Sequence, residues 1–390
     1  MIRLKAFLVS IILVVVSLIV IDRVYIKKIE NYYKVKDNSV RYNTSYEKYK
    51  SRDIITKNIT NNTTVLLGSS ELTTTINESY HPKKIFNYKD FNIMQIGVGH
   101  SQNIIHAATL GSIGDNIKNN QVVMVQSIQW FDNKNGILKG AFLSRISEEH
   151  VYNTMNNSRI SKSTKEKFIN RVIELSSENK EMHKKFKNYK KYFLEEKGNV
   201  ISKQFMKFDN YIYSLKNKYQ FYKNKSIENY PTSGDSTPNY NWNELKEKFT
   251  KEAQKKTDNN TYGIDNLYYD KYIKSQYDKL KNISKNTKYD DSPEYKDLDI
   301  FLSIAKDLGI KLKFAIFPAN GKWSDYTGID KHKREVAYNK LKKIAKENNV
   351  DVLDYTGKEY ENYYLCDTMH LGWRGWLDFE RDLYKLAKEN

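Results

Sequence analysis

Five short apolar runs, each closed by turn-forming residues, limit what this 390-residue chain can fold into. They are TTVLLG (63–68), NIMQIG (92–97), VVMVQS (122–127), IKLKFAIFP (310–318) and VDVLD (350–354). Runs of this length, bounded by turn residues, read as buried strands. Helical patterns alternate with them: HSQNIIHAATLGSIGD from His100, PEYKDLDIFLSIAKDLG from Pro293 and KHKREVAYNKLKKIAKEN from Lys331. The last two repeat apolar residues every three or four positions, and the Pro293 pattern closes on a glycine C-cap at Gly309. Strand, helix, strand in this rhythm predicts an α/β fold, a parallel sheet of about five strands flanked by helices on both faces.

Residues 141–290 break the rhythm. They hold long Lys-, Glu- and Tyr-rich helical stretches such as KEKFINRVIELSSENKEMHKKFKNYKKYFLEE, then the turn-rich ENYPTSGDSTPNYNWN, with no fixed-period repeat. The block reads as a helical insertion in the α/β domain or as a small helical domain set upon it. Its tyrosines are expected to pack their ring bodies and keep their hydroxyls wet. An aromatic and lysine groove for a polyanion is the competing reading.

The N-terminus carries an apolar run from Ala6 to Ile21 behind Arg3 and Lys5. At helical rise it is about 24 Å long, short of a ~30 Å hydrocarbon core. Val24, Tyr25 and Ile26 extend it, with Asp22 and Arg23 near the interface. No small-x-small cleavage site follows, so residues 1–26 read as an uncleaved transmembrane anchor. Residues 27–60 read as a polar stalk and 61–390 as the folded domain. Arg23, Lys27 and Lys28 offset the N-terminal cations, so charge does not set the orientation. A short tail before a long domain points to a single-pass membrane protein with its C-terminal domain on the extracellular face.

The chain holds 65 Lys+Arg against 47 Asp+Glu, a formal charge of +18. That favours an anionic partner, although a chain rich in Lys, Asn, Ile and Tyr together also carries a compositional bias. Nucleic acid drops out because the anchor puts the basic surface outside the cell. Cys366 is the only cysteine, which rules out an intrachain disulfide and a cysteine metal cage; it reads as a small buried filler in preference to a thiol nucleophile. His81, His100 and His106 lack metal-ligand spacing, and no metal or cofactor is expected.

In an open parallel sheet, ligands gather at the carboxyl ends of the strands. Gly68-Ser69-Ser70-Glu71 ends the first run, Gly97-Val98-Gly99-His100 the second and Ser127-Ile128-Gln129-Trp130-Phe131 the third. Cys366-Asp367-Thr368-Met369-His370 precedes the last helix. Two readings of Ser70 stand open. It caps a helix beginning near Glu71, or it is a nucleophile raised on the tight turn that Gly68 permits. Asp367, three residues before His370, lets one ring nitrogen be held while the other faces a serine. Oxyanion donors would come from the Ser70 N–H, the Gly97–Gly99 turn and a side chain at Gln129 or Trp130. Plain turn and strand-end roles compete for each of these.

Ser in the first block, Gly in the second, a polar amide in the third and D-x-x-H in the last resemble the SGNH-hydrolase layout. GSSEL followed by HP, then G-x-G-H-S-Q, QWF, FPANGKWSDYTG and DTMHLGWRGW resemble the DltD family more narrowly. These are the membrane-anchored D-alanyl transfer proteins of teichoic-acid D-alanylation. The resemblance implies Ser70 as nucleophile, His370 as base and Asp367 as its orienter. Where SGNH enzymes carry an oxyanion asparagine, this chain reads Ser127-Ile128-Gln129. Pro318, Asn320, Trp323 and Tyr326 match the family's P-x-N-G-x-W stretch and are expected to shape the site wall. The implied function is transfer of D-alanyl esters to lipoteichoic acid or a similar anionic teichoic-acid polymer. A membrane-bound O-acyltransferase partner would deliver the acyl group, and a D-alanyl carrier protein would act upstream. The same motifs also suit an esterase or thioesterase, which differs only in the second acceptor, or a non-catalytic scaffold that binds polymer and partner.

Overall fold

A computed structural model describes residues 2–28, 38–86, 88–195, 200–224 and 234–388. The five runs form strands β1 (Thr63–Leu67), β2 (Asn92–Ile96), β3 (Gln121–Ser127), β4 (Lys311–Phe317) and β5 (Asp351–Asp354). All pair in parallel, in the order β2-β1-β3-β4-β5. The chain therefore reverses its direction of travel across the sheet beside β1, where such sheets open a ligand crevice. Side chains alternate between the two faces along each strand. Val65, Leu67, Val122, Met124, Phe314 and Ile316 enter one core, and Leu66, Val123, Val125, Ala315 and Phe317 enter the other.

The first core is closed by α2 (Asn103–Ile113), α8 (Glu294–Asp307) and α9 (Lys331–Glu347). Gly309, just past α8, adopts φ +64°, the left-handed turn that ends the helix as its glycine predicts. The second core is closed by α10 (Trp373–Lys388), whose Trp373, Trp376, Leu377, Phe379 and Leu383 are buried. Burying each of these side chains contributes about 1.5–3 kcal/mol. The Trp376 indole N–H also donates to Thr75 Oγ1 at 2.9 Å, which ties α10 to the segment after β1.

The inserted block does not build one core of its own. Helices α3 (Glu148–Asn156), α4 (Lys162–Leu175) and α5 (Lys180–Phe193) add to the first core, and α7 (Trp242–Lys256) adds Phe249 and Ala253 to the second. Between them runs the long α6 (Val200–Asn224). Tyr152 and Tyr189 meet edge to face at 5.7 Å inside the first core.

The N-terminal helix α1 (Ile2–Val20) continues as a wider π-helical stretch, Ile21–Ile26. Its 22-residue segment Lys5–Ile26 is long and apolar enough to cross a membrane, about 33 Å at helical rise. The stretch expected to be a stalk differs from that reading where it is described. Val40, Tyr42, Tyr49, Ile54, Ile55 and Ile59 are buried, with Tyr49, Ile55 and Ile59 in the first core. Short helices Tyr46–Lys50 and Arg52–Lys57, capped by Ser45 and Ser51, turn few apolar residues inward, so no sustained period betrays them. Residues 29–37 lie outside the described residues.

Candidate active site

The turn after β1 is fixed from several sides. Gly97, after β2, has φ +140°, and a Cβ there would lie 1.7 Å from the Gly68 carbonyl oxygen, so only glycine lets the two strand ends approach. The Gly68 N–H donates to Ile96 O at 3.1 Å, and His106 Nε2 on α2 donates to Gly68 O at 2.9 Å. Ser69 N–H donates to Glu71 Oε2 at 3.0 Å, and Ser69 Oγ to Val98 O at 3.3 Å. Gln95 Nε2 and His81 Nε2 both reach the Leu72 carbonyl, at 2.6 and 3.1 Å.

Ser70–Leu72 is a single 3-10 turn, and neither serine side chain caps it. No α-helix begins at Glu71, so the capping reading of Ser70 fails. The Ser70 hydroxyl faces His370 Nε2 instead, at 3.0 Å.

His370 is held by the loop before α10, where Leu365 and Leu371 bridge and Cys366 N–H donates to His370 O at 3.0 Å. Buried Asp367 accepts from the backbone N–H groups of Met369 and His370 through Oδ1, at 2.9 and 2.8 Å. Its Oδ2 accepts from His370 Nδ1 at 2.6 Å. That bond places the proton on Nδ1 and leaves Nε2 as an acceptor for the serine hydroxyl. Burial pushes the Asp367 carboxyl up, but His370 and the two backbone donors outweigh it and hold the group below its ordinary value. Burial likewise lowers His370, but the Asp367 charge and hydrogen bond, with a smaller pull from Glu71, leave it above its ordinary value.

Asn320 steadies this loop. Its backbone N–H donates to Thr368 O at 3.0 Å, and its Nδ2 donates to Tyr262 O at 3.0 Å and Asp367 O at 3.4 Å. Pro318 follows β4, Trp323 meets Tyr262 edge to face at 5.2 Å, and Tyr326 stacks on Tyr277 at 4.5 Å. These residues brace the segment behind the D-x-x-H loop.

Of the expected oxyanion donors, two are available. Among the described residues, the backbone N–H groups of Ser70 and Gly99 have no acceptor. Gly99 lies close, since a Cβ built on it would be 3.9 Å from Ser70 Cβ. Arg145 Nε holds the Gly99 carbonyl at 2.6 Å. The side chains at Gln129 and Trp130 are placed differently from the expectation. Gln129 Nε2 and Trp130 Nε1 donate to Glu71 Oε1, at 2.8 and 3.2 Å, so both address a buried carboxylate rather than the space before Ser70.

Glu71 is the residue that sequence reasoning missed. It is 1% exposed and joins the backbone of the serine turn to the end of β3. Gln95 was missed as well, although a glutamine inside a fully buried strand was a visible signal. A cleft of about 390 Å³ opens beside Asp367, between Thr74–Tyr80 and Lys255–Tyr268. A serine oxygen bonded to an imidazole whose far nitrogen is held by a carboxylate can be deprotonated and attack an acyl carbonyl.

The motifs that form this site also relate the chain to known proteins. Residues 41–388 match the family model described as DltD protein. Protein DltD of Bacillus subtilis (strain 168) is 30% identical over 335 residues, covering 83% of this chain and 82% of that one. Protein DltD of Staphylococcus aureus (strain NCTC 8325 / PS 47) is 27% identical over 331 residues, covering 83% and 80%. Protein DltD of Lacticaseibacillus rhamnosus is 24% identical over 336 residues, covering 83% and 77%. Since the family match takes in both the serine turn and the D-x-x-H loop, and with them all five strands, the chain belongs to the DltD family.

Proposed function

We propose that this protein is a membrane-anchored, extracellular D-alanyl transferase that esterifies teichoic acid through Ser70, His370 and Asp367. The observation that carries the reading is the relay from Ser70 Oγ to His370 Nε2, 3.0 Å, and from His370 Nδ1 to Asp367 Oδ2, 2.6 Å. Family membership supports the pathway, and the apolar Lys5–Ile26 helix supports the anchor.

Ser70 Oγ attacks the carbonyl carbon of an incoming D-alanyl ester or thioester while His370 Nε2 takes its proton. The tetrahedral oxyanion accepts from the Ser70 and Gly99 N–H groups. Collapse breaks the bond to the leaving group, which receives the proton from His370 and leaves a D-alanyl ester on Ser70. A polymer hydroxyl then gives its proton to His370, attacks the acyl-serine and departs as the new ester, with the proton returned to Ser70. Asp367 stays ionised throughout and steadies the imidazolium. The cleft beside Asp367 is large enough for a polymer unit next to the acyl group. A membrane-bound O-acyltransferase partner supplies the acyl group in this scheme.

The test is ester-linked D-alanine on teichoic acid from cells whose only copy carries Ser70→Ala, with the protein level followed by membrane blot. Loss of the ester at normal protein level is expected. A wild-type ester content would overturn the assignment.

A further inference from the structure

Helix α6 carries an apolar stripe that no part of the described molecule covers. Ile201, Phe205 and Phe208 are 65%, 68% and 41% exposed. Their spacing of four and then three residues puts them on one face of the helix. Lys203 and Lys207 are exposed on the opposite side of the helix. The same helix is fastened to the end of the N-terminal apolar helix. Lys218 Nζ donates to Asp22 Oδ1 at 2.7 Å, and Tyr211 Oη donates to Asp22 Oδ2 at 3.4 Å. Ile26 and Leu215 are both buried.

These contacts bring one end of the stripe near the end of the membrane segment. Asp22 is near the outer end of the Lys5–Ile26 segment, so α6 crosses that end between Tyr211 and Lys218. Counting back from Tyr211, Phe208 is about 4.5 Å and Ile201 about 15 Å further along the helix. The stripe thus begins within one turn of the membrane contact, close to a headgroup layer roughly 5–8 Å deep on each side.

We infer that Ile201, Phe205 and Phe208 insert into the lipid interface, with Lys203 and Lys207 on the polar side of the helix. An apolar face opposed by a polar, lysine-bearing one is the pattern of an interfacial helix. The size of the stripe also favours lipid. Three side chains cover far less than the ~800 Å² per partner of a stable protein interface. The inference rests on the anchor reading of Lys5–Ile26 and adds a second attachment to it. Two attachments on one body restrict how the domain tilts above the bilayer, and so the height at which Ser70 works.

The test uses the full chain reconstituted in phosphatidylcholine–phosphatidylglycerol vesicles. A thiol-reactive environment-sensitive fluorophore is placed at Phe205→Cys, or as a control at Lys343→Cys, whose parent side chain is 74% exposed on α9. Cys366 is buried, and the unsubstituted protein treated in parallel measures its background labelling. Co-flotation with the vesicles reports the anchor, and quenching by bromine-bearing acyl chains reports the stripe. Flotation with quenching at position 205 at least about two-fold stronger than at 343 is expected. Flotation with equal quenching at both would overturn the lipid contact and leave the anchor standing. Equal quenching in lipid together with a buried probe in native membranes would give the face to a protein partner, which also overturns it. Failure to float would remove the anchor and this inference together.

Discussion

Two of the histidines that touch the serine turn, on different elements, are set to opposite tasks by their surroundings. His106, on α2, donates to the Gly68 carbonyl, and burial pushes it down to about 4 against the pull of that oxygen. It is neutral at physiological pH and serves as a strut. His370, in the loop before α10, is also largely buried, yet its carboxylate partner raises it above its ordinary value. Burial alone makes a histidine a neutral donor, whereas a buried carboxylate on the far nitrogen makes it a base whose proton can be lent and returned.

The sharpest way to break this contrast is to replace both rings by the same amide. His370→Gln is expected to slow D-alanyl transfer by about 10³–10⁴-fold or more, because the serine loses its base. His106→Gln keeps an N–H donor and is expected to stay within about tenfold of wild type. Transfer of radiolabelled D-alanine to teichoic acid in reconstituted membranes measures both, and equal losses would end the distinction. Asp367→Asn comes next, at about 10²–10⁴-fold, since an amide favours the wrong imidazole tautomer and leaves the imidazolium unpaired. A near-normal rate for that variant would reduce Asp367 to a loop brace.

His106→Leu leaves the Gly68 carbonyl without its donor and is expected to cost about 1–3 kcal/mol of stability. Urea unfolding reads that cost, and an unchanged midpoint would show that the strut carries no load. The smallest effect concerns pH. His370 must be neutral to accept the Ser70 proton, so kcat/KM rises with pH as His370 loses its proton, and the acid limb lies above that of an ordinary histidine. Glu71→Gln removes a negative charge that helps raise His370, so the limb moves to lower pH. His106→Leu leaves it in place. A pH–rate series on the three proteins decides this, and a limb that ignores Glu71 would confine that carboxylate to holding the turn.

Much of this was legible before folding. Strands β1, β2 and β3 follow from apolar runs buried on both faces, a pattern that needs no tertiary knowledge to read, while the edge strand β5 is partly exposed. Ser70 stands in a local motif at a strand end, Asp367 and His370 in one before the last helix, and the structure brings them together. Glu71 was not legible, because its meaning lies in Gln129 and Trp130, 58 and 59 residues away. A glutamate after a strand looks like a solvated helix start until those donors close over it. For the same reason Gln129 looked free. The folded segment from Val40 to Ile59 escaped notice because its helices are a turn or two long, too short to show a period.

Ser70 and His370 are 300 residues apart in the chain. Synthesis runs from the N-terminus, so the apolar N-terminal helix and the serine emerge long before the imidazole that faces it. A product cut short between Ser70 and His370 would keep the serine but lack its imidazole partner and the last helix. Long-range closure of this kind is slow, and it ties reactivity to completeness: an active molecule is one whose last helix has already docked.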